Sequence, residues 1–90
     1  MAAPVDNYEI TAHARFEMVR RRIAESVVRG VLSAPQQRYP IGPGRDVLQS
    51  KSLFDDKIYL VRVFIDIDRT PAEVVTVYRT SQIARYWRAM

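Results

Sequence analysis

The chain has 90 residues, 48% of them hydrophobic, and its 14 lysines and arginines outnumber its 10 aspartates and glutamates, giving a net charge of +4. This length suffices for one hydrophobic core but not for two, so we predict a single domain. The absence of cysteine excludes disulfides, thiolate metal sites and cysteine nucleophiles. Arginine supplies nearly all of the positive charge, which favours a nucleic acid or an acidic protein as the partner. The alternative is that this chain, like many small basic proteins, binds no nucleic acid.

Residues 1–7 combine Pro4 with small and polar neighbours, and we expect them to form a flexible leader before a domain that spans residues 8–90. The leader lacks the basic start and apolar run of a secretory signal. No apolar stretch approaches the ~20 residues that a membrane-spanning helix needs. We therefore expect no membrane contact and a cytoplasmic location.

Two helices are predicted after a short first strand at residues 8–10. Thr11 offers a hydroxyl for the N-cap of the first helix. This helix carries an apolar stripe at the helical period, typical of a core face, formed by Ala12, Phe16, Val19 and Ile23. The second helix is predicted over residues 24–33, and Pro35 ends the helical part of the chain.

The rest of the chain is dominated by predicted strands. A strand within residues 36–41 precedes a Gly-Pro-Gly turn, and three further strands are expected at 46–54, 57–67 and 73–79. Their short connections favour antiparallel hairpins, and the middle one, apolar on both faces, is expected at the sheet centre. Ser81 starts a short C-terminal helix whose apolar side is formed by Ile83, Tyr86 and Trp87.

The predicted fold class is therefore α+β. A short strand and two N-terminal helices precede a mostly antiparallel four-stranded meander and a short C-terminal helix. Helices grouped beside an antiparallel sheet define this class, because an α/β fold would interleave the two kinds of element.

His13 is the only histidine, and it stands near the positive end of the first predicted helix. Its imidazole has the chemistry of a general acid or base, and a capping or packing contact is the alternative. On a helical wheel His13 and Arg20 flank the apolar stripe on one side, whereas Arg15 and Arg22 flank it on the other. We therefore expect His13 and Arg15 not to share one small pocket. The run of arginines at 20–22 is typical of a solvated helix surface, with phosphate binding as the alternative.

Arg62 interrupts the apolar middle strand, and a charge there needs a partner or a wet cleft. Either it shares a sheet face with Thr76 and Tyr78, or it forms a salt bridge with Asp66 or Glu73. Alternation along the last strand predicts two faces, one with Val74, Thr76 and Tyr78 and the other with Val75, Val77 and Arg79.

Other catalytic devices are missing from the sequence. Four aspartates look like turn residues without the regular spacing of a calcium loop, namely Asp55, Asp56, Asp66 and Asp68. No phosphate-binding glycine loop and no Gly-x-Ser-x-Gly elbow is present. We therefore expect neither a metal nor a cofactor.

Three stretches resemble an uncharacterised bacterial domain-of-unknown-function family, namely YEITAHARFEM at 8–18, RRI at 21–23 and VTVYRTS at 75–81. The pattern of that family begins His-Ala-x-x-Arg-Met, continues Arg-Gly-Ile and ends Thr-Val-Tyr. This chain departs from it in two places: Arg15 stands two positions before the arginine of the pattern, and Arg22 stands where the glycine is expected.

In element order and size this family is similar to the RelE, ParE and BrnT group of toxin–antitoxin proteins. The resemblance implies a metal-independent RNA endonuclease that acts as a toxin, with RNA as its substrate and an antitoxin protein as its partner. The alternative is a non-catalytic protein-binding module or a ParE-like inhibitor of a DNA enzyme. The sequence leaves the oligomeric state open.

The implied chemistry is attack by a ribose 2′-hydroxyl on the adjacent phosphate, which needs proton carriers and cations. The predicted catalytic residues are His13, Arg62 and Tyr78. The predicted substrate-binding residues are Arg15, Arg20, Thr76 and Arg79.

Overall fold

A computed structural model describes residues 2–89. Met1 and Met90, at the outer ends of the predicted leader and domain, lie outside the described residues. The elements in chain order are β1 (Tyr8–Ile10), α1 (Ala12–Arg20), α2 (Glu25–Ser33), β2 (Gln37–Gly42), β3 (Arg45–Phe54), β4 (Lys57–Asp66), β5 (Ala72–Thr80) and α3 (Ile83–Tyr86). The predicted α+β class is confirmed. Within residues 2–89 no helix has both the length and the apolar run needed to span a bilayer.

The five-stranded sheet has the order β1-β5-β4-β3-β2. The strands β2 to β5 form the predicted antiparallel meander, and β1 extends it to five strands by pairing parallel with β5. Asp55 and Asp56 both have positive φ, 49° and 66°, which suits the tight two-residue turn between β3 and β4. The strand β4 lies at the sheet centre, which explains why it is apolar on both faces.

The helices α1 and α2 cover one face of the sheet, here called the helix face. The opposite face carries the side chain of Arg62 and is called the Arg62 face. The main core lies between the helices and the helix face, and its fully buried members include Ala14, Val28, Leu32, Leu48, Val61, Val63, Ile65, Val74 and Val77.

The predicted core face of α1 is wrong. Phe16 and Val19 are 64% and 80% exposed, whereas Ala14 and Met18 are buried against the sheet. The small Ala14 lets the helix approach β5 closely, and Arg21 at its C-terminus donates a hydrogen bond to the carbonyl oxygen of Val77 at 2.7 Å. These contacts fix a rotation of the helix that its apolar period does not reveal.

The end of α1 explains why one predicted stripe residue is nevertheless buried. Arg22 has a φ of 56°, in the left-handed region, and this turn breaks the helical register. Ile23 therefore leaves the line of Phe16 and Val19 and enters the core, where it is 4% exposed.

A bulge in β5 corrects a second prediction. Phe64 pairs with Thr76 and Ile65 pairs with Val74, so Val75 is an extra residue in the ladder. The bulge moves Val74 to the helix face, where it joins the core. Simple alternation, which placed Val74 beside Thr76, therefore fails at this point.

The residues before β1 run along α2 and β2. The amide of Val5 donates to the carbonyl oxygen of Leu32 at 2.9 Å, and Arg38 donates to that of Ala3 at 3.1 Å. The leader and the domain boundary at residue 8 stay predictions.

Candidate functional site

Polar and aromatic side chains meet on the Arg62 face at the middle of the sheet. The strand register places Gln49, Arg62 and Tyr78 side by side on β3, β4 and β5. Because directly paired residues point to the same side of a sheet, these three side chains share one face. Together with two further tyrosines they form what we call the Arg62 cluster: Tyr39, Gln49, Arg62, Tyr78 and Tyr86.

The guanidinium of Arg62 is buried and bonded only to neutral groups. It donates to Oε1 of Gln49 at 2.8 Å, to the hydroxyl of Tyr78 at 2.7 Å and to the hydroxyl of Tyr39 at 2.8 Å. Its central carbon lies 4.3 Å from the ring centroid of Tyr86, and the residue is 6% exposed. Three hydrogen bonds and the aromatic faces offset part of the cost of burying this charge.

No carboxylate among residues 2–89 forms an ion pair with Arg62. Asp66, one of its two predicted partners, accepts hydrogen bonds from Arg45, and Glu73, the other, pairs with Arg69. Of the two predicted arrangements, the structure therefore has the one in which Arg62 shares a sheet face with Tyr78. The positive charge of Arg62 is not neutralised by a carboxylate among the described residues. Arginine has five N–H donors, of which these three bonds use three, so the group retains capacity for an anion.

The environment of Tyr78 keeps its phenol in the protonated form. Burial raises the pKa of the Tyr78 phenol above its usual value, although the hydrogen bond from Arg62 opposes this change. The phenol therefore stays protonated at neutral pH. Its ring also stacks on Phe64, with the ring centroids 5.7 Å apart.

The segment after β5 lies over the cluster. The amide of Gln49 donates to the carbonyl oxygen of Tyr86 at 3.1 Å, and the Gln37 side chain donates to that of Arg88 at 2.5 Å. The guanidinium of Arg88 lies 3.6 Å from the ring centroid of Tyr39. The helix α3 has no buried residue, so hydrogen bonds and stacking from the sheet hold this segment in place. We call residues 86–88 the C-terminal cover.

Arginines and tyrosines alternate around this site. Arg21 and Arg85 lie 6.0 Å and 5.4 Å from the ring centroids of Tyr78 and Tyr86, respectively. Cationic groups that contact phosphates, interleaved with rings that stack on bases, are typical of surfaces that bind single-stranded nucleic acid.

Tyr39 and Gln49 were not predicted as site residues from the sequence, because only the register of β2 and β3 shows that they face Arg62.

The structure brings part of the predicted site together. Thr76 pairs with Phe64, two positions along the ladder from the bonded pair of Arg62 and Tyr78, and shares their face. His13 lies exposed in the first turn of α1, on the helix side of the sheet. Within the described residues no hydrogen bond or ion pair joins it to Arg62 or Tyr78, so its catalytic role stays a prediction.

The remaining predicted substrate-binding residues lie away from the cluster. Arg15 pairs with Glu25 at 2.6 Å, and Arg20 pairs with Glu17 at 2.6 Å. Arg79 points to the helix face, where its guanidinium lies 4.2 Å and 4.8 Å from the ring centroids of Phe54 and Tyr59. Their roles in substrate binding also stay predictions. In the part of the chain that the structure describes, no three histidine or carboxylate side chains group to hold a metal.

The model of one protein family, a domain of unknown function (DUF4258), matches residues 10–79. This range contains four members of the Arg62 cluster and ends before the fifth, Tyr86. No curated protein and no solved structure matches the chain significantly, so the similarity to the RelE, ParE and BrnT group stays a prediction. The family match covers most of the chain, and the protein belongs to the DUF4258 family.

Proposed function

We propose that the Arg62 cluster binds the phosphate backbone of RNA and that the protein is a metal-independent endonuclease, the toxin of a toxin–antitoxin pair. One observation carries this proposal: Arg62 is buried among tyrosines and has no carboxylate partner in the described residues. A phosphodiester is the anion of matching chemistry, because its oxygens accept from a guanidinium and its neighbouring bases stack on aromatic rings.

The proposed reaction is attack by the ribose 2′-oxygen on the adjacent phosphorus. A bond forms between the 2′-oxygen and phosphorus while the bond to the 5′-oxygen breaks. Arg62 stabilises the negative charge on the phosphate oxygens, and the protonated phenol of Tyr78 donates its proton to the leaving 5′-oxygen. Because His13 lies on the helix side, we assign the 2′-proton to solvent water, and the rate then depends on positioning and charge.

Access to Arg62 requires the C-terminal cover to move. The ring of Tyr86 occupies one face of the guanidinium, and Arg88 occupies the ring of Tyr39. In the proposed complex the ring of Tyr86 moves aside so that a phosphate oxygen accepts from the unused N–H groups of Arg62, and a base takes the place of Arg88 on the ring of Tyr39. The residues of the cover are themselves exposed or half-buried, so moving them is less costly than opening the core.

The test compares two arginines on opposite faces of the sheet. Arg62→Gln and its matched control Arg79→Gln remove the same charge from neighbouring strands. We expect Arg62→Gln to weaken binding of a single-stranded RNA oligonucleotide about tenfold or more, and Arg79→Gln to change it about twofold or less. Binding is measured by fluorescence anisotropy at fixed salt, and cleavage by gel electrophoresis of the same RNA.

A second variant separates binding from chemistry. Tyr78→Phe keeps the ring but removes the proton, so we expect cleavage to fall about a hundredfold with little change in RNA affinity. His13→Ala tests the remaining predicted catalytic residue and is expected to leave cleavage unchanged. The proposal is contradicted if the native protein neither binds nor cleaves the test RNA, or if the Arg62 and Arg79 variants lose RNA affinity equally.

A further inference from the structure

The outward face of α1 carries an apolar stripe formed by Ala12, Phe16 and Val19. Phe16 and Val19 are 64% and 80% exposed, and a spacing of three residues makes them neighbours on one helix face. They lie on the side of the helix that turns away from the sheet, so no described element of this chain covers them. We call this surface the α1 stripe.

Cations border the α1 stripe on both sides. Arg20 lies on one flank, beside His13, Arg15 lies on the other, and Arg22 follows in the turn at the end of the helix. Residues 12–29 contain five arginines and two glutamates, a net charge of +3 compared with +4 for the whole chain. The stripe is therefore the apolar centre of a positively charged part of the sequence.

The flanking arginines remain accessible to a partner. The Arg15 and Arg20 side chains are 53% and 56% exposed even though each pairs with a glutamate. Arg22 is exposed, and within the described residues it forms no ion pair. Each guanidinium has enough N–H groups to donate to a further carboxylate.

We propose that the α1 stripe docks an acidic amphipathic helix of a partner protein. Its apolar side chains would cover Phe16 and Val19, while carboxylates along both of its edges would meet the arginines. A nucleic acid would satisfy the arginines but leave the two apolar side chains exposed. A second copy of this chain would bring like-charged flanks together, which opposes association.

The probe is a synthetic amphipathic peptide with leucines on one face and glutamates along both edges. Its control is the same peptide with lysine in place of every glutamate. We expect the glutamate peptide to bind, to shift the amide resonances of α1 in NMR spectra, and to bind more weakly as salt rises. The lysine peptide is expected not to bind.

Two substitutions test where the peptide binds. Phe16→Ser is expected to weaken binding about tenfold or more, and Arg22→Glu to weaken it by a smaller factor. Leu53→Ser is the matched control, because Leu53 is 62% exposed but lies in the β3–β4 hairpin near Asp55 and Asp56. It is expected to change binding by about twofold or less.

The docking proposal does not rest on the proposed RNA chemistry, so an experiment can contradict either proposal without the other. RNA cleavage by Phe16→Ser is expected to match that of the native protein. The docking proposal is overturned if the glutamate peptide does not bind or if Phe16→Ser leaves its affinity unchanged. It is also overturned if Phe16→Ser instead weakens binding to RNA or anionic vesicles, or dissociates a dimer of this chain.

Discussion

The Arg62 cluster and the α1 stripe reverse the usual distribution of polar and apolar groups. At the first, a cation is buried among neutral groups, whereas at the second, two large apolar side chains face solvent. Neither arrangement is the most stable one for an isolated chain, because a buried charge and an exposed apolar surface both carry a cost. Both features underlie our proposals: an anion site at the Arg62 cluster and a docking surface for an acidic amphipathic helix at the α1 stripe.

A second arginine of the sheet shows what Arg62 lacks. Arg45 donates to both carboxylate oxygens of Asp66, at 2.5 Å and 3.1 Å. Arg69 lies near the same carboxylate at 3.7 Å. The charges at this end of the sheet are therefore neutralised, whereas that of Arg62 is not. This difference is why we place the anion site at Arg62.

The largest expected effect distinguishes the two sides of α1. Met18 is buried and Phe16 is exposed, so Met18→Ala should lower the free energy of unfolding by about 2–5 kcal/mol. Phe16→Ala should change it by about 0.5 kcal/mol or less. Urea denaturation of both variants measures the difference, and equal losses would mean that Phe16 belongs to the core.

The next effect concerns the C-terminal cover. Deletion of residues 86–90 removes the ring of Tyr86 from Arg62 and the guanidinium of Arg88 from Tyr39. We expect single-stranded RNA to bind about tenfold more tightly, because it no longer has to displace the cover. Deletion of residues 89–90 alone, which leaves the cover in place, is the control. Weaker RNA binding by the truncated chain would show that the cover belongs to the RNA site.

The smallest expected effect concerns the stability contributed by the ion pair of Arg45 with Asp66, which depends on pH. The hydrogen bond from Arg45 holds the pKa of Asp66 below its usual value. Because the folded pKa is the lower one, this pairing contributes fully above the usual aspartate pKa of ~3.9 and is lost as pH falls through the folded value. Asp66→Asn should therefore cost about 1 kcal/mol at neutral pH.

Measuring the stability of both proteins at low pH checks this prediction. The difference in unfolding free energy between the native protein and Asp66→Asn should shrink below about pH 4. Thermal unfolding across a pH series measures it. A difference that stays constant into strong acid would show that the pairing does not depend on the Asp66 charge.

Local chemistry predicted much of the fold. The Thr11 hydroxyl accepts from the amide of Ala14 as the expected N-cap, and the turn at Asp55 and Asp56 forms where it was expected. The apolar β4 lies at the sheet centre. These features depend on a few adjacent residues, which explains why the sequence reveals them.

The features that the sequence did not reveal depend on contacts between distant elements. The rotation of α1 follows from Ala14 and Arg21 meeting β5, and the face of Val74 follows from a bulge. The surroundings of Arg62 need the register of four strands at once. Apolar periodicity alone therefore located a stripe on α1 but assigned it to the wrong side of the helix.

The most direct test of the central claim observes Arg62 itself. An RNA dinucleotide is titrated into the native protein while the side-chain Nε–H resonances of arginine are followed by NMR. We predict a saturable shift of the Arg62 resonance and no shift of the Arg79 resonance, because only Arg62 faces the proposed phosphate site. An unchanged Arg62 resonance at saturating dinucleotide would contradict the assignment of this cluster as the anion site.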